Sequence, residues 1–155
     1  DFDGSPRITW GNVDIGAYEY QFPAGYWLWA EGISNGQTNL TDSVSLDGVP
    51  NLLKYATGVS PTSHYQWYQL EPDIVEGKYG VRLYRNTNAN DITMIVEGST
   101  SLESHSDWTG LATNRFGSWG AANVVETGVG NPVSALLAVS PKYSNQFIRL
   151  RVTRP

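Results

Sequence analysis

Phe147-Ile148-Arg149-Leu150-Arg151-Val152-Thr153 carries the plainest strand pattern in the chain. Ile148, Leu150 and Val152 alternate with Arg149, Arg151 and Thr153. An apolar residue at every second position marks a strand with one face on a core and the other in water. The same pattern recurs upstream. Residues 79–85 place Tyr79, Val81 and Leu83 on one face, and residues 92–97 do so with Ile92, Met94 and Val96. Residues 121–126 and 133–139 are further candidates. Turn-forming residues separate these runs at 86–91, 104–107, 128–132 and 141–145. Five or more short strands at this spacing predict an all-β fold, an antiparallel β-sandwich, with a short N-terminal β segment and one short helix.

The bulk numbers narrow the function. The chain has 155 residues and a formal net charge of −5. That is enough chain for a buried core. The acidic balance argues against nucleic acid as a partner, because phosphate binding needs a basic face. There is no apolar run of the length a membrane span requires, so no membrane insertion is expected. With no cysteine, disulfides, thiolate metal sites and cysteine nucleophiles are excluded. The chain starts at Asp1 without a methionine, which reads as a piece of a longer secreted protein.

Residues 42–61, DSVSLDGVPNLLKYATGVSP, have the outline of a calcium loop running into a helix. Asp47-Gly48 makes a tight turn, a helix begins at Asn51, Gly58 can end it, and Pro61 closes it off. Calcium loops carry Asp or Asn at alternate positions and a Glu early in the helix. Here the alternate positions are Ser43, Ser45 and Asp47, and the Glu position falls on Lys54. Asp47 and Asn51 remain as candidate metal ligands; no cofactor is expected, with calcium at this loop as the alternative. The expected role of the stretch is packing, with Leu52, Leu53 and Tyr55 buried at a junction.

Three sets of motifs resemble parts of known secreted proteins. Asp1, Asp3, Gly4, Arg7 and the run 14–19 (DIGAYE) resemble the terminal coil of right-handed parallel β-helix proteins. Asp47, Gly48, Asn51, Leu52, Tyr55, Gly58 and Pro61 resemble a linker, D-x-D-G-D-G-x-x-N-L-x-E-Y-x-x-G-x-x-P, found in large secreted proteins of environmental bacteria. There it often precedes a C-terminal sandwich. Residues 97–102, Trp108 and residues 147–152 resemble that sandwich. The resemblance implies a terminal β-helix-like segment over 1–22, a linker over 23–64 and a β-sandwich module over 65–155. It also implies a non-catalytic accessory or anchoring role, with an upstream β-helix or catalytic domain of the same chain as partner.

Catalytic groupings are absent from the pattern. His64 and His105 stand apart in predicted loops, no HExxH or GxSxG motif occurs, and the carboxylates are scattered singly over turns. A polysaccharide lyase fragment stays as a minor alternative. Aromatics carry the stronger signal, because Trp and Tyr stack on the C–H faces of sugars while polar neighbours take the hydroxyls. Tyr65 and Trp67 alternate onto one face, Trp119 lies in a glycine-flanked stretch, and Tyr26, Trp27 and Trp29 form a third group. Packing is the competing role for each, and Trp108 reads as core. Arg82, Arg149 and Arg151 alternate against buried positions. If their strands pair, they form a basic stripe suited to an acidic polysaccharide; the competing reading is cross-strand pairing with Asp or Glu. The expected function is a carbohydrate-binding module of a larger secreted polysaccharide-acting or adhesive protein. The alternative is a structural spacer that caps a β-helix without binding glycan.

Overall fold

The computed structural model describes residues 8–9, 12–13, 25–65, 70–75, 78–102, 107–121, 123–139 and 147–154. At the N-terminus, β1 (Ile8–Thr9) pairs antiparallel with β2 (Asn12–Val13). Helix α1 (Tyr26–Ala30) and helix α2 (Asn51–Thr57) follow. Eight strands come next: β3 (Leu70–Val75), β4 (Lys78–Arg85), β5 (Thr93–Ser99), β6 (Thr109–Arg115), β7 (Ser118–Trp119), β8 (Val124–Thr127), β9 (Val133–Ala138) and β10 (Phe147–Thr153). They form two four-stranded antiparallel sheets, ordered β3-β4-β9-β8 and β10-β5-β6-β7. The expected sandwich is present. Among the described residues it carries two short helices where one was expected, because the aromatic run at 26–30 is helical.

Period-two alternation accounts for the core. Val81 and Leu83 on β4 face Leu137 and Ala135 on β9 in register. From the other sheet, Met94 and Val96 on β5 are buried, and Val152 and Leu150 on β10 pair with them. One apolar cluster joins these residues, Val81 apart, to Tyr26 and Ala30 of α1 and to Tyr55 and Ala56 of α2. Helix α2 packs against both β4 and β10, so the helices share the core of the two sheets. Tyr79, expected on the inner face, is exposed at the start of β4. Its register partner on β3, Ile74, is likewise exposed.

Both helices are held by contacts from outside themselves. At the start of α2, the Asn51 amide donates to Asp42 O (2.7 Å) and the Leu52 amide to Leu40 O (3.0 Å). These loop carbonyls satisfy donors that a helix start leaves orphaned. At its end, Gly58 is left-handed (φ 77°), and the Val59 amide reaches back to Lys54 O (2.9 Å), closing a Schellman turn. Helix α1 is a single turn, too short to be stable alone. Gly25 precedes it with φ 91°, and a Cβ there would lie 2.4 Å from the Tyr55 hydroxyl and 2.6 Å from Asp91 Oδ1. Only glycine permits that approach.

Candidate functional site

The antiparallel registers bring four connections to one end of the sandwich. These are the β4–β5 loop, the β6–β7 turn, the β8–β9 loop and the chain after β10. Helix α1 lies at the same end. Between them is a cleft of about 690 Å³ lined by Gly25, Leu28, Trp29, Tyr55, Asn86, Asn88, Asn90, Asp91 and Asn131.

A rigid floor carries this cleft. Asp91 accepts hydrogen bonds from the Tyr55 hydroxyl (2.6 Å) and the Tyr26 amide (3.2 Å), and pairs with Arg154 Nε (3.1 Å). Burial, reinforced by Asp91, pushes the Tyr55 hydroxyl well above the ordinary tyrosine range. Asn86 is buried and donates to Tyr55 O (2.9 Å), while its own amide nitrogen bonds Ala56 O (2.8 Å). Asn86 and Asp91 are therefore scaffold. The Trp29 indole donates to Val59 O (3.1 Å), which fixes the ring with one part in the core and the other on the cleft.

The rim is polar and apolar by turns. Asn88, Asn90 and Asn131 are exposed, and the Asn131 side chain accepts from the Thr87 amide (2.9 Å), which ties the β8–β9 loop to the β4–β5 loop. Leu28 is 67% exposed. Beside Asn90, Phe116 and Gly117 form the two-residue turn between β6 and β7 with φ of 52° and 78°. Two consecutive positive φ values are the signature of a hairpin turn that favours Asn-Gly. A phenylalanine there costs backbone strain, yet its ring is 80% exposed. Strain of this kind that packing does not require concentrates at functional sites.

The residues singled out from sequence are dispersed. Arg82 and the pair Arg149 and Arg151 lie in different sheets, so the basic stripe does not form. Arg82 bonds Asp73 and Ser134 (3.2 Å). Arg149 and Arg151 both reach Glu97, at 2.8 and 2.9 Å, and Arg149 also stacks on the Trp108 ring at 4.0 Å. Cross-strand ion pairing therefore engages all three. Trp119 is half-buried, and its indole donates to Glu126 Oε1 (2.7 Å). Glu126 in turn holds Arg85 through Nε (2.5 Å) and Nη2 (2.9 Å). Trp119 belongs to one sheet and Glu126 to the other, so this trio bridges the sandwich. Tyr65 packs beside Thr57, and burial pushes its hydroxyl up to about 12. Trp67 and His105 lie outside the described residues.

Asp47 and Asn51 are also engaged. Asn51 is buried and donates to Gln37 O (2.9 Å) and Asn39 O (3.0 Å). Asp47 Oδ2 lies 3.0 Å from Lys54 Nζ, and Lys54 is 0% exposed. Burial works against the Asp47 charge, but bonds from the Tyr65 and Val49 amides, Lys54 and Ser45 outweigh it and hold the carboxyl far below its usual range. Among the described residues, no three of His, Cys, Asp and Glu are grouped to hold a metal ion. No helix among them is long and apolar enough to cross a membrane.

No family model, curated protein or solved structure matches this chain. The cleft is thus characterised by its own chemistry. Sequence reasoning missed it because its amides are split between two loops more than 40 residues apart. The one available signal was the density of asparagine in residues 86–90 and at Asn131, which reads only as turn chemistry until the loops meet.

Proposed function

We propose that this protein is a non-catalytic carbohydrate-binding module and that the loop-end cleft receives a neutral glycan. The observation that carries the reading is the cleft's lining, where the exposed amides of Asn88, Asn90 and Asn131 sit beside Leu28 and Trp29. A carboxamide offers both donors and acceptors, which matches a hydroxyl that does the same. Leu28, Trp29 and the neighbouring Phe116 supply apolar surface for the C–H face of a sugar ring. Charge favours a neutral ligand: Asp91 lies in the cleft, and Arg82, Arg149 and Arg151 are committed to carboxylates elsewhere. The module would serve a larger secreted protein, with a β-helix or catalytic domain upstream in the same chain.

Affinity electrophoresis in gels containing neutral polysaccharides tests the site. Wild-type protein should be retarded in at least one gel, and Asn88→Ala/Asn90→Ala should lose that retardation while keeping its melting temperature. Retardation unchanged in the double variant removes the cleft from the reading.

A second reading has an observation of its own. Tyr26 is fully buried in the core shared by both sheets, and its amide is fastened to Asp91 (3.2 Å). So firm an attachment of the segment entering the sandwich suits a spacer that holds an upstream unit rigidly. An array of diverse glycans that captures no wild-type protein would favour the spacer.

A further inference from the structure

The loop at residues 42–65 is built around a positive charge, and the chain supplies that charge itself. Lys54 projects from α2 with its side chain wholly out of water. A buried ammonium persists only where oxygen atoms replace its hydration shell. Its Nζ contacts Asp47 Oδ2 at 3.0 Å, the Ser63 carbonyl at 3.0 Å and the Ser45 hydroxyl. The surrounding turn is arranged for the same purpose. The Ser43 hydroxyl and the Val49 amide each donate to Asp47 Oδ1 at 3.0 Å, and the Tyr65 amide donates to Asp47 Oδ2 at 2.7 Å. The loop therefore closes on one carboxylate and one ammonium, drawing Asp47, α2 and the strand-ward segment at 63–65 together.

The calcium that the loop's outline implies does not fit these residues. Calcium takes six to eight oxygen ligands, several of them carboxylates. Among the described residues Asp47 is the one carboxylate on the Lys54 ammonium, and the helix position that should supply the bidentate acid carries the ammonium instead. A divalent ion placed against Asp47 would face that ammonium at close range, with like-charge repulsion poorly screened by buried surroundings.

We infer that the Lys54 ammonium is an internal replacement for the loop's metal ion, so that the junction between α2 and the sandwich is held without calcium. The geometry of a cation-centred loop is kept, while its dependence on an external ion is removed. This inference is independent of the glycan reading, since none of these residues lines the loop-end cleft.

Thermal melts in excess EDTA and in 10 mM CaCl2 test it with three forms of the full chain. Wild type should melt at the same temperature in both, within about 1 °C. Lys54→Met, which keeps the bulk and loses the charge, should melt well below wild type in both solutions, by roughly 6 °C or more. Ser45→Asp/Lys54→Glu restores acids around the same centre. It should be the least stable form in EDTA and regain about 5–10 °C in CaCl2. If that double variant fails to fold in either solution, the first two melts decide alone. A calcium-dependent rise of several degrees in wild type, stoichiometric calcium binding to wild type by calorimetry, or a Lys54→Met melt equal to wild type overturns the inference. So does a folded double variant indifferent to calcium.

Discussion

Replacing Asp91 by alanine should release the floor of the cleft. Its carboxylate takes the Tyr55 hydroxyl at 2.6 Å, the Tyr26 amide at 3.2 Å and Arg154 Nε at 3.1 Å. Tyr55 and Tyr26 are buried; the Tyr26 amide loses its acceptor, and the Tyr55 hydroxyl is left with the longer contact to Asn88 O (3.3 Å). Leaving a buried donor unpaired costs about 1–3 kcal/mol. The Arg154 contact is partly solvated and adds under about 1 kcal/mol. The expected loss is about 3–5 kcal/mol, which for a domain of this size lowers the melting temperature by roughly 6–20 °C. Chemical denaturation followed by tryptophan fluorescence gives the free energy directly, and a double-mutant cycle isolates the central bond. Tyr55→Phe removes only the hydroxyl and should cost about 1–2 kcal/mol, with a coupling to Asp91→Ala of similar size. A loss below about 1 kcal/mol for Asp91→Ala, or strict additivity of the two variants, would refute the claim that this carboxylate organises the loop end.

Other outcomes follow from the same geometry. Asp47 and Glu97 are held low by bonds that outweigh their burial, and Glu126 is held low by Arg85. As pH falls the unfolded chain takes up protons before the folded one, so stability should be full above about pH 5 and decline below about pH 4, as read by denaturant midpoints across pH. Burial raises Tyr55, Tyr65 and Tyr26, so the unfolded chain loses protons first in alkali. Stability should therefore fall above about pH 10, and alkaline difference spectra should show these tyrosines ionising only with unfolding. Phe116→Gly relieves a left-handed φ of 52° at an exposed ring. It should leave the melting temperature unchanged or raise it by a few degrees, while weakening retention on the neutral glycan that wild type binds.

Much of the framework was readable from residue order alone, because its causes are local. A strand shows its inner face through every second residue, as Ile148, Leu150 and Val152 do. Helix α2 announces its end through Gly58, whose left-handed φ needs no distant partner. Lys54 could be recognised in sequence as a cation at an acid's position. Its acceptor at Ser63 could not, because a carbonyl gives no compositional signal.

Tertiary structure decided everything that depends on which elements are neighbours. Alternation tells a strand which way to face and says nothing of its partner, so the arginines of β4 and β10 fell into separate sheets. Helix α1 is made by Asp91, 65 residues beyond Tyr26, and its own five residues carry no capping signal. Trp119, glycine-flanked and exposed by expectation, is drawn inward by Glu126 from the opposite sheet. The cleft exists only where two loops and the two helices converge. Local preferences set the faces and ends of each element in this chain, while long-range hydrogen bonds and shared burial chose the pairings that turn scattered asparagines into one surface.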